Sequence, residues 1–365
     1  MPFKEIVKSG ANRLSSGVSR IPFGWRIVVG ALGWLILISG LHYRFNLENE
    51  KRDTVNIGYM PVIANLACPL LDDATRTGKG VRFCSTKFAS FAELAEAIRN
   101  DHIQAAFMIA PLAIVLRHQG EDVKIVAIGN RHESTLVVRK DLNAKVFADL
   151  AGKTLAVPMR YSGHYIGIRQ MIEKHSLYEP IQVVEMNPPD MASALASGSL
   201  DAYFVGEPFA AKTVKNGNAS VLFYVENIWE NFICNLLLVK HEFIKSNPEL
   251  VKILVQGTGR AGIWAKNNVK AAARIAADYW NQPVDLIEYA LTTPKNRIVF
   301  DHFVPKKDEI QRIADLMVRF DLLKSNNIAG LVEDRFAREA DLQGISDLKS
   351  ILCPSPGDSE TLDEK

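Results

Sequence analysis

The chain has four cysteines in 365 residues and no CxxC pair, so it lacks the spacing of a structural zinc site. It has no Walker loop and no complete GxGxxG at a strand–helix junction, which removes the usual nucleotide sites. GxSxG and HExxH are also missing, and serine-hydrolase and zincin chemistry go with them. Aromatics reach only 8%, the formal net charge is +2 and no basic stripe appears, which argues against a dedicated nucleic-acid binder. No cofactor, metal site or catalytic centre is expected, and the chain reads as a binder, not an enzyme. Cys68 and Cys84 either pair in an oxidising compartment or stay free thiols.

A hydrophobic share of 48% and a charged share of 23% describe an ordinary globular protein with room for two cored lobes. The N-terminus departs from that pattern. Residues 1–26 carry Lys4, Lys8, Arg13, Arg20 and Arg26 against the single acid Glu5. The segment Ile27–Leu41 has no charge, and with its flanks reaches ~17–19 apolar residues, the lower end of a membrane span. Basic residues before the span place that end in the cytoplasm, and Trp25, Trp34 and Tyr43 suit the two interfaces. The run is followed by neither an A-x-A site nor a lipoprotein cysteine, which favours an uncleaved signal-anchor over 27–43. The alternative is a cleaved signal peptide. Residues 44–53, RFNLENEKRD, read as a charged linker to an extracytoplasmic domain.

Beyond the linker, short apolar strands alternate with helical segments. Strands are expected at Thr54–Tyr59, Val81–Ser85, Ile103–Ile109 and Val123–Ile128, then at Ser134–Val138, Leu155–Val157, Ile181–Glu185, Ala202–Val205 and Asn235–Val239. Helices are expected at Phe91–Arg99 (capped by Ser90), Tyr165–His175, Met191–Ala196, Pro248–Lys266, Val269–Trp280 and Lys307–Phe320. Such alternation predicts parallel sheets with helices on their faces. Trp264 and Trp280 fall on amphipathic helices and read as core.

The segment that organises the chain is 200–211, LDAYFVGEPFAA. A strand runs into Gly206-Glu207-Pro208 and a helix opens at Phe209. Ligands of open α/β sheets bind at strand carboxyl ends beside helix N-termini, and two tandem lobes place such ends across a cleft. The same turn is also common as plain structure. His164 reads as a ligand donor, a catalytic base or a surface histidine. Arg131-His132-Glu133, near the crossover between lobes, either reaches the cleft or forms a solvated charged turn, the second reading being favoured.

The order of motifs resembles the periplasmic solute-binding proteins of ABC importers for nitrate, bicarbonate, sulfonates and taurine, the NMT1-like group. The likeness is carried by Ile57-Gly-Tyr-Met-Pro with Cys68-Pro-Leu, by Ala105–Leu112, and by Leu150–Pro158 leading to Ser162-Gly-His164. Val205-Gly-Glu-Pro-Phe and Asn227-Ile-Trp-Glu230 with Asn247-Pro-Glu complete it. The resemblance implies a type II periplasmic-binding fold: two α/β lobes around a ligand cleft, preceded here by one transmembrane helix. With the strand–helix pattern this puts lobe 1 at 54–131 and 237–350 and lobe 2 at 132–236, and the polar, acidic end of the chain reads as a disordered tail at 351–365.

What the resemblance implies for function is capture of a small anion by lobe closure and its delivery to a permease driven by an ATPase. The protein would sit in the inner membrane through its N-terminal helix, with the soluble part periplasmic. Alternatives are a membrane-anchored sensing ectodomain without transport, or a pyrimidine/thiamine-precursor binder of the same fold. The ligand positions carried over are Tyr59, Ser90, Phe91, Pro111, Ser162, His164, Gly206, Glu207 and Glu230. Glu230 stands where nitrate receptors tend to have lysine. A carboxylate there disfavours nitrate and favours bicarbonate with a cation, or a donor-bearing ligand, unless Glu230 sits on a solvated loop and touches nothing.

Overall fold

The computed structural model describes residues 22–42, 52–77 and 80–352, and these form two units, one within Met1–Asp53 and one from Thr54 onward. The basic stretch 1–21, most of the expected linker and the tail beyond 352 lie outside the described residues. In the first unit, helix α1 (Phe23–His42) is apolar on every side; Gly24–His42 has a mean hydropathy of 1.7, long and apolar enough to cross a membrane. Its Trp34 and Ile36 are largely exposed, at 64% and 71%.

The second unit holds two five-stranded sheets. The first is built from β1 (Thr54–Tyr59), β2 (Arg82–Lys87), β3 (Ala105–Ile109), β4 (Val123–Ile128) and β10 (Asn235–Lys240), in the order β2-β1-β3-β10-β4. The second contains β5 (Ser134–Arg139), β6 (Thr154–Val157), β7 (Gln182–Glu185), β8 (Ala202–Gly206) and β9 (Ala219–Tyr224), in the order β7-β6-β8-β5-β9. Eight of these ten were legible nearly to the residue, but β9 was missed and Ile103 and Gln104 precede β3.

Helices follow the strands. They are α2 (Ala67–Thr75), α3 (Phe91–Arg99), α4 (Ala110–His118), α5 (Gly163–Lys174), α6 (Pro188–Ala196) and α7 (Phe209–Lys215). After β10 come α8 (His241–Ser246), α9 (Pro248–Asn267), α10 (Val269–Trp280), α11 (Val284–Thr292), α12 (Lys307–Arg319) and the short α13 (Arg335–Arg338). Alternation along the central strands divides the first sheet's core. Ala106, Met108, Leu236 and Leu238 pack with Leu94 and Ile98 of α3 and Ile310 and Ile313 of α12. Val55, Ile57, Phe107 and Leu237 pack instead with α2, α9 and α10, where Trp264 and Trp280 are buried as expected.

The sheets are mixed, which corrects the parallel arrangement expected from strand–helix alternation. β10 runs antiparallel to β3 and β4, and β5 antiparallel to β8 and β9. The reason is where the chain crosses between sheets. β5 opens directly after the crossover 129–133, and β10 directly after the return crossover 231–234. Each enters its sheet at the edge where the parallel strands end, so it must run opposite to them. Both crossovers therefore lie along the carboxyl edges of both sheets.

Candidate ligand site at the crossover

The crossover is held by close backbone approaches. Gly129 N–H donates to Asn235 O at 3.2 Å, and a Cβ on Gly129 would lie 2.0 Å from Ala64 O, so only glycine fits. Arg131 bridges in strand fashion to both Ile233 and Val299. Its guanidinium, almost fully buried, donates to His302 O, Asn231 O and both carboxylate oxygens of Glu309 at 2.8–3.0 Å. The expected solvated turn at 131–133 is corrected here: Arg131 is 2% exposed and Glu133 0%. Charge alone suggested solvent, but the segment is wedged between two sheets and only His132 is partly exposed.

Around Glu133 the second sheet supplies a compact polar cluster. Glu207 N–H donates to Glu133 Oε2 at 2.8 Å and the Ser134 hydroxyl to Oε1 at 3.1 Å, while the Cys234 thiol lies against the same carboxylate. Burial pushes the Glu133 carboxyl above its usual range and the Cys234 thiol well above its own, so that sulfur stays protonated near neutrality. Gly206 is required here for Glu133: an added Cβ would meet its two oxygens at 2.8 and 2.9 Å. Glu207 folds its carboxylate inward, accepting from the Thr135 hydroxyl and from Ala211 N–H, both at 2.7 Å. Burial raises it to about 7. Arg297 donates to Thr135 Oγ1 at 3.2 Å, to Ser134 O and to Glu226 at 3.0 Å, and stacks over Tyr224.

Helix α5 brings its first turn to this cluster. Ser162 caps it, accepting from Tyr165 N–H at 3.2 Å and donating to Met159 O at 2.6 Å. His164 Nε2 sits 2.9 Å from Ser134 Oγ, and the ring packs edge-on against Phe204 and near Phe232. Burial drives its pKa down to about 3, so the ring is neutral. A Cβ on Gly163 would lie 2.7 Å from the Phe232 ring, which explains glycine within the Ser-Gly-His run. The two sheets meet here directly: Ile63 N–H donates to Glu207 O at 2.8 Å, and Asn130 Nδ2 to Ile63 O at 2.8 Å.

Of the sequence-derived positions, Ser162, His164, Gly206 and Glu207 come together around Glu133. Phe91 and Pro111, both buried, open α3 and α4 on the facing first-sheet side, where Ser90 caps α3 through Glu93 N–H at 3.2 Å. Between those helices and Met159 and Tyr161 runs a groove of about 580 Å³ lined by Phe88, Leu112 and Val115. Tyr59 does not join them. Strand alternation puts it with Val55 and Ile57 against α2 and α10. Exposed Glu230 lines a separate cavity of about 290 Å³ with Trp229, Lys306, Glu309 and Arg312.

Sequence reasoning passed over Asn130, Ser134, Thr135, Asn235 and Arg297, and favoured a solvated turn for Glu133. The available signal was a polar run, 130–135, set between the apolar stretches Ile125–Ile128 of β4 and Leu136–Val138 of β5. Four buried polar side-chain atoms at this place have no partner: Asn130 Oδ1, His132 Nε2, His164 Nδ1 and Asn235 Oδ1; a fifth such atom, Trp280 Nε1, lies elsewhere. Native proteins leave few such atoms, so a concentration of them marks where something else binds. Among the described residues no group of three His, Cys, Asp or Glu side chains is placed to hold a metal, and Cys68, Cys84 and Cys234 are all free thiols.

The sequence profile of the NMT1-like family matches residues 48–280. The taurine-binding periplasmic protein of Escherichia coli K12 is 24% identical over 258 residues, which cover 63% of this chain and 79% of that one. A protein assigned as aliphatic-sulfonate-binding in Bacillus subtilis 168 is 24% identical over 209 residues, and the match spans only 61% of its length and 56% of this chain. Among solved structures, the periplasmic nitrate-binding protein NrtA of Synechocystis PCC 6803 superposes with a TM-score of 0.70 at 15% identity, covering 79% of this chain and 88% of that one. The ligand-binding component of an ABC-type import system from Staphylococcus aureus gives 0.71 at 21% identity, covering 80% and 100%. At these identities the superpositions show the fold: two α/β sheets of the periplasmic-binding type.

Proposed function

Because the chain belongs to the NMT1-like family, we propose that it is the solute-binding component of an ABC importer. In this reading it takes a small polar solute of the sulfonate, taurine, nitrate or bicarbonate class. The observation that carries the reading is the cluster of unpartnered buried polar atoms where the carboxyl edges of both sheets meet. A binding cleft between two sheet-cored lobes is where such a fold holds a ligand. The crossovers 129–133 and 231–234 join the two sheets along this edge, so they are the natural hinge for closing over the solute and excluding water.

His164 and the residues around Glu133 would line the inner end, while Phe91, Pro111 and the 159–161 loop would form the mouth. Ser90 and Ser162 act through the helices they cap. Glu207 positions the 206–208 turn through Thr135 and Ala211, and Tyr59 supports β1 from its far face. Glu230, beside His132, would act on the ligand only through charge. No bond is made or broken in this account. The solute is then handed to a membrane permease and its ATPase, with α1 holding the receptor at the outer face of the inner membrane.

The test is calorimetric titration of the full chain in detergent with taurine, alkyl sulfonates, nitrate and bicarbonate. Saturable binding that raises the melting temperature is expected, since a ligand bound only by the folded form must stabilise it. Absence of any response across that panel sinks the proposal.

A further inference from the structure

Three of the four unpartnered atoms at the crossover, those of Asn130, Asn235 and His164, have a fixed polarity, which neither the fold nor the family match conveys. Asn65 Nδ2 donates to Met60 O at 2.8 Å, and a main-chain carbonyl can only accept, so the orientation of that amide is set. Its Oδ1 therefore accepts from Asn235 Nδ2 at 2.7 Å, and Asn235 is left presenting a bare Oδ1. Asn130 is oriented in the same way by Ile63 O, to which its Nδ2 donates, and also shows a bare Oδ1. Both side chains are essentially inaccessible, at 1% and 0% exposure, so bulk water does not satisfy them.

His164 follows the same logic through two relays. Glu133 receives the Ser134 hydroxyl on one oxygen and Glu207 N–H on the other. The Ser134 oxygen then takes the proton of His164 Nε2, which leaves Nδ1 as a bare lone pair. Neither nearby guanidinium hydrogen-bonds these acceptors, although the charge of Arg297 acts to lower the Glu133 and Glu207 carboxyls. Arg131 is spent on Glu309 and two carbonyls, and Arg297 on Glu226, Ser134 O and Thr135.

We infer that the solute presents N–H donors, an ammonium or an amidine-like group, to Asn130, Asn235 and His164, with any acidic group turned outward toward the mouth. This rests on the receptor reading above and narrows its ligand class. A bare oxyanion such as nitrate brings only acceptors and meets acceptors. An amino-sulfonate such as taurine brings the donors required. Buried unpaired acceptors discriminate strongly against a ligand lacking the matching donor, because each stays desolvated and unsatisfied.

Two probe pairs on the full chain in detergent decide it by calorimetry and thermal shift. Taurine against ethanesulfonate isolates the ammonium on a constant sulfonate, and methylguanidinium against nitrate removes the sulfonate altogether. At least tenfold tighter binding of the donor member of each pair is expected. Asn235→Leu, or Asn130→Leu should the first not fold, is expected to shrink that preference severalfold. Equal or tighter binding of ethanesulfonate or nitrate would overturn the inference while leaving the receptor reading standing. Silence from all four probes at 10 mM, an upper concentration of about the millimolar affinity range, would overturn both.

Discussion

Gly206→Ala is the sharpest perturbation of the crossover. The new Cβ would stand 2.8–2.9 Å from both oxygens of the Glu133 carboxylate. A free carboxylate would swing aside, but this one is wholly buried and held by Glu207 N–H, by Ser134 and by Cys234. Overpacking a filled site costs about 1–3 kcal/mol, and loss of a hydrogen bond to a charged group costs about 1.5–3 kcal/mol. A total of about 2.5–6 kcal/mol lowers the melting temperature by roughly 5–12 °C, at about 2 °C per kcal/mol for a unit of this size.

The control is Glu133→Ala, which removes the obstacle while Glu207 N–H keeps its second acceptor, Glu133 O, at 3.1 Å. In that background Gly206→Ala should cost less than about 1 kcal/mol, a coupling of about 1.5 kcal/mol or more. Thermal and urea denaturation of the four proteins measures it. Additive losses across the cycle would show that Gly206 is not glycine on account of Glu133, and the reasoning would fail.

Two other predictions concern titration and topology. His164 has its folded pKa depressed from 6.5 to about 3, so its contribution is complete above about pH 6.5 and is lost as pH falls toward 3, ~5 kcal/mol in all. Glu207 has the opposite sign: its folded pKa is raised from 4.5 to about 7, so stability falls by ~3 kcal/mol as pH rises through that window. Urea midpoints from pH 4 to 8 should therefore show a steeper neutral limb for wild type than for Glu207→Gln, and a steeper acid limb than for His164→Gln. Parallel curves would contradict both assignments. For α1, a phosphatase active only outside the cytoplasm, fused after Leu352, should be active in cells. An inactive fusion at normal expression would place the soluble unit on the other side.

Much of the architecture was legible because it is written locally. The uncharged run from Ile27 to Leu41, the strand at Thr54–Tyr59 and the α10 boundaries at Val269 and Trp280 each follow from short-range hydrophobic spacing, and all three appear where expected. Glycine and proline marked the 206–208 turn for the same reason. The likeness of motif order, read across the chain, was enough to fix the fold, because each motif stands at a strand–helix junction.

What only the tertiary structure decided is which polar groups share a buried space. Nothing in the sequence near Glu133 says that Gly206 must leave room for it, since 73 positions separate them along the chain and they meet only when β5 lies beside β8. Strand direction was hidden likewise, because a run of apolar residues reads the same in either sense, and the entry point of the crossover set it. The bare acceptors of Asn130 and Asn235 owe their polarity to carbonyls at Ile63 and Met60, which reach them only through folding. Local pattern specifies elements, and long-range hydrogen bonding specifies what the site between them will accept.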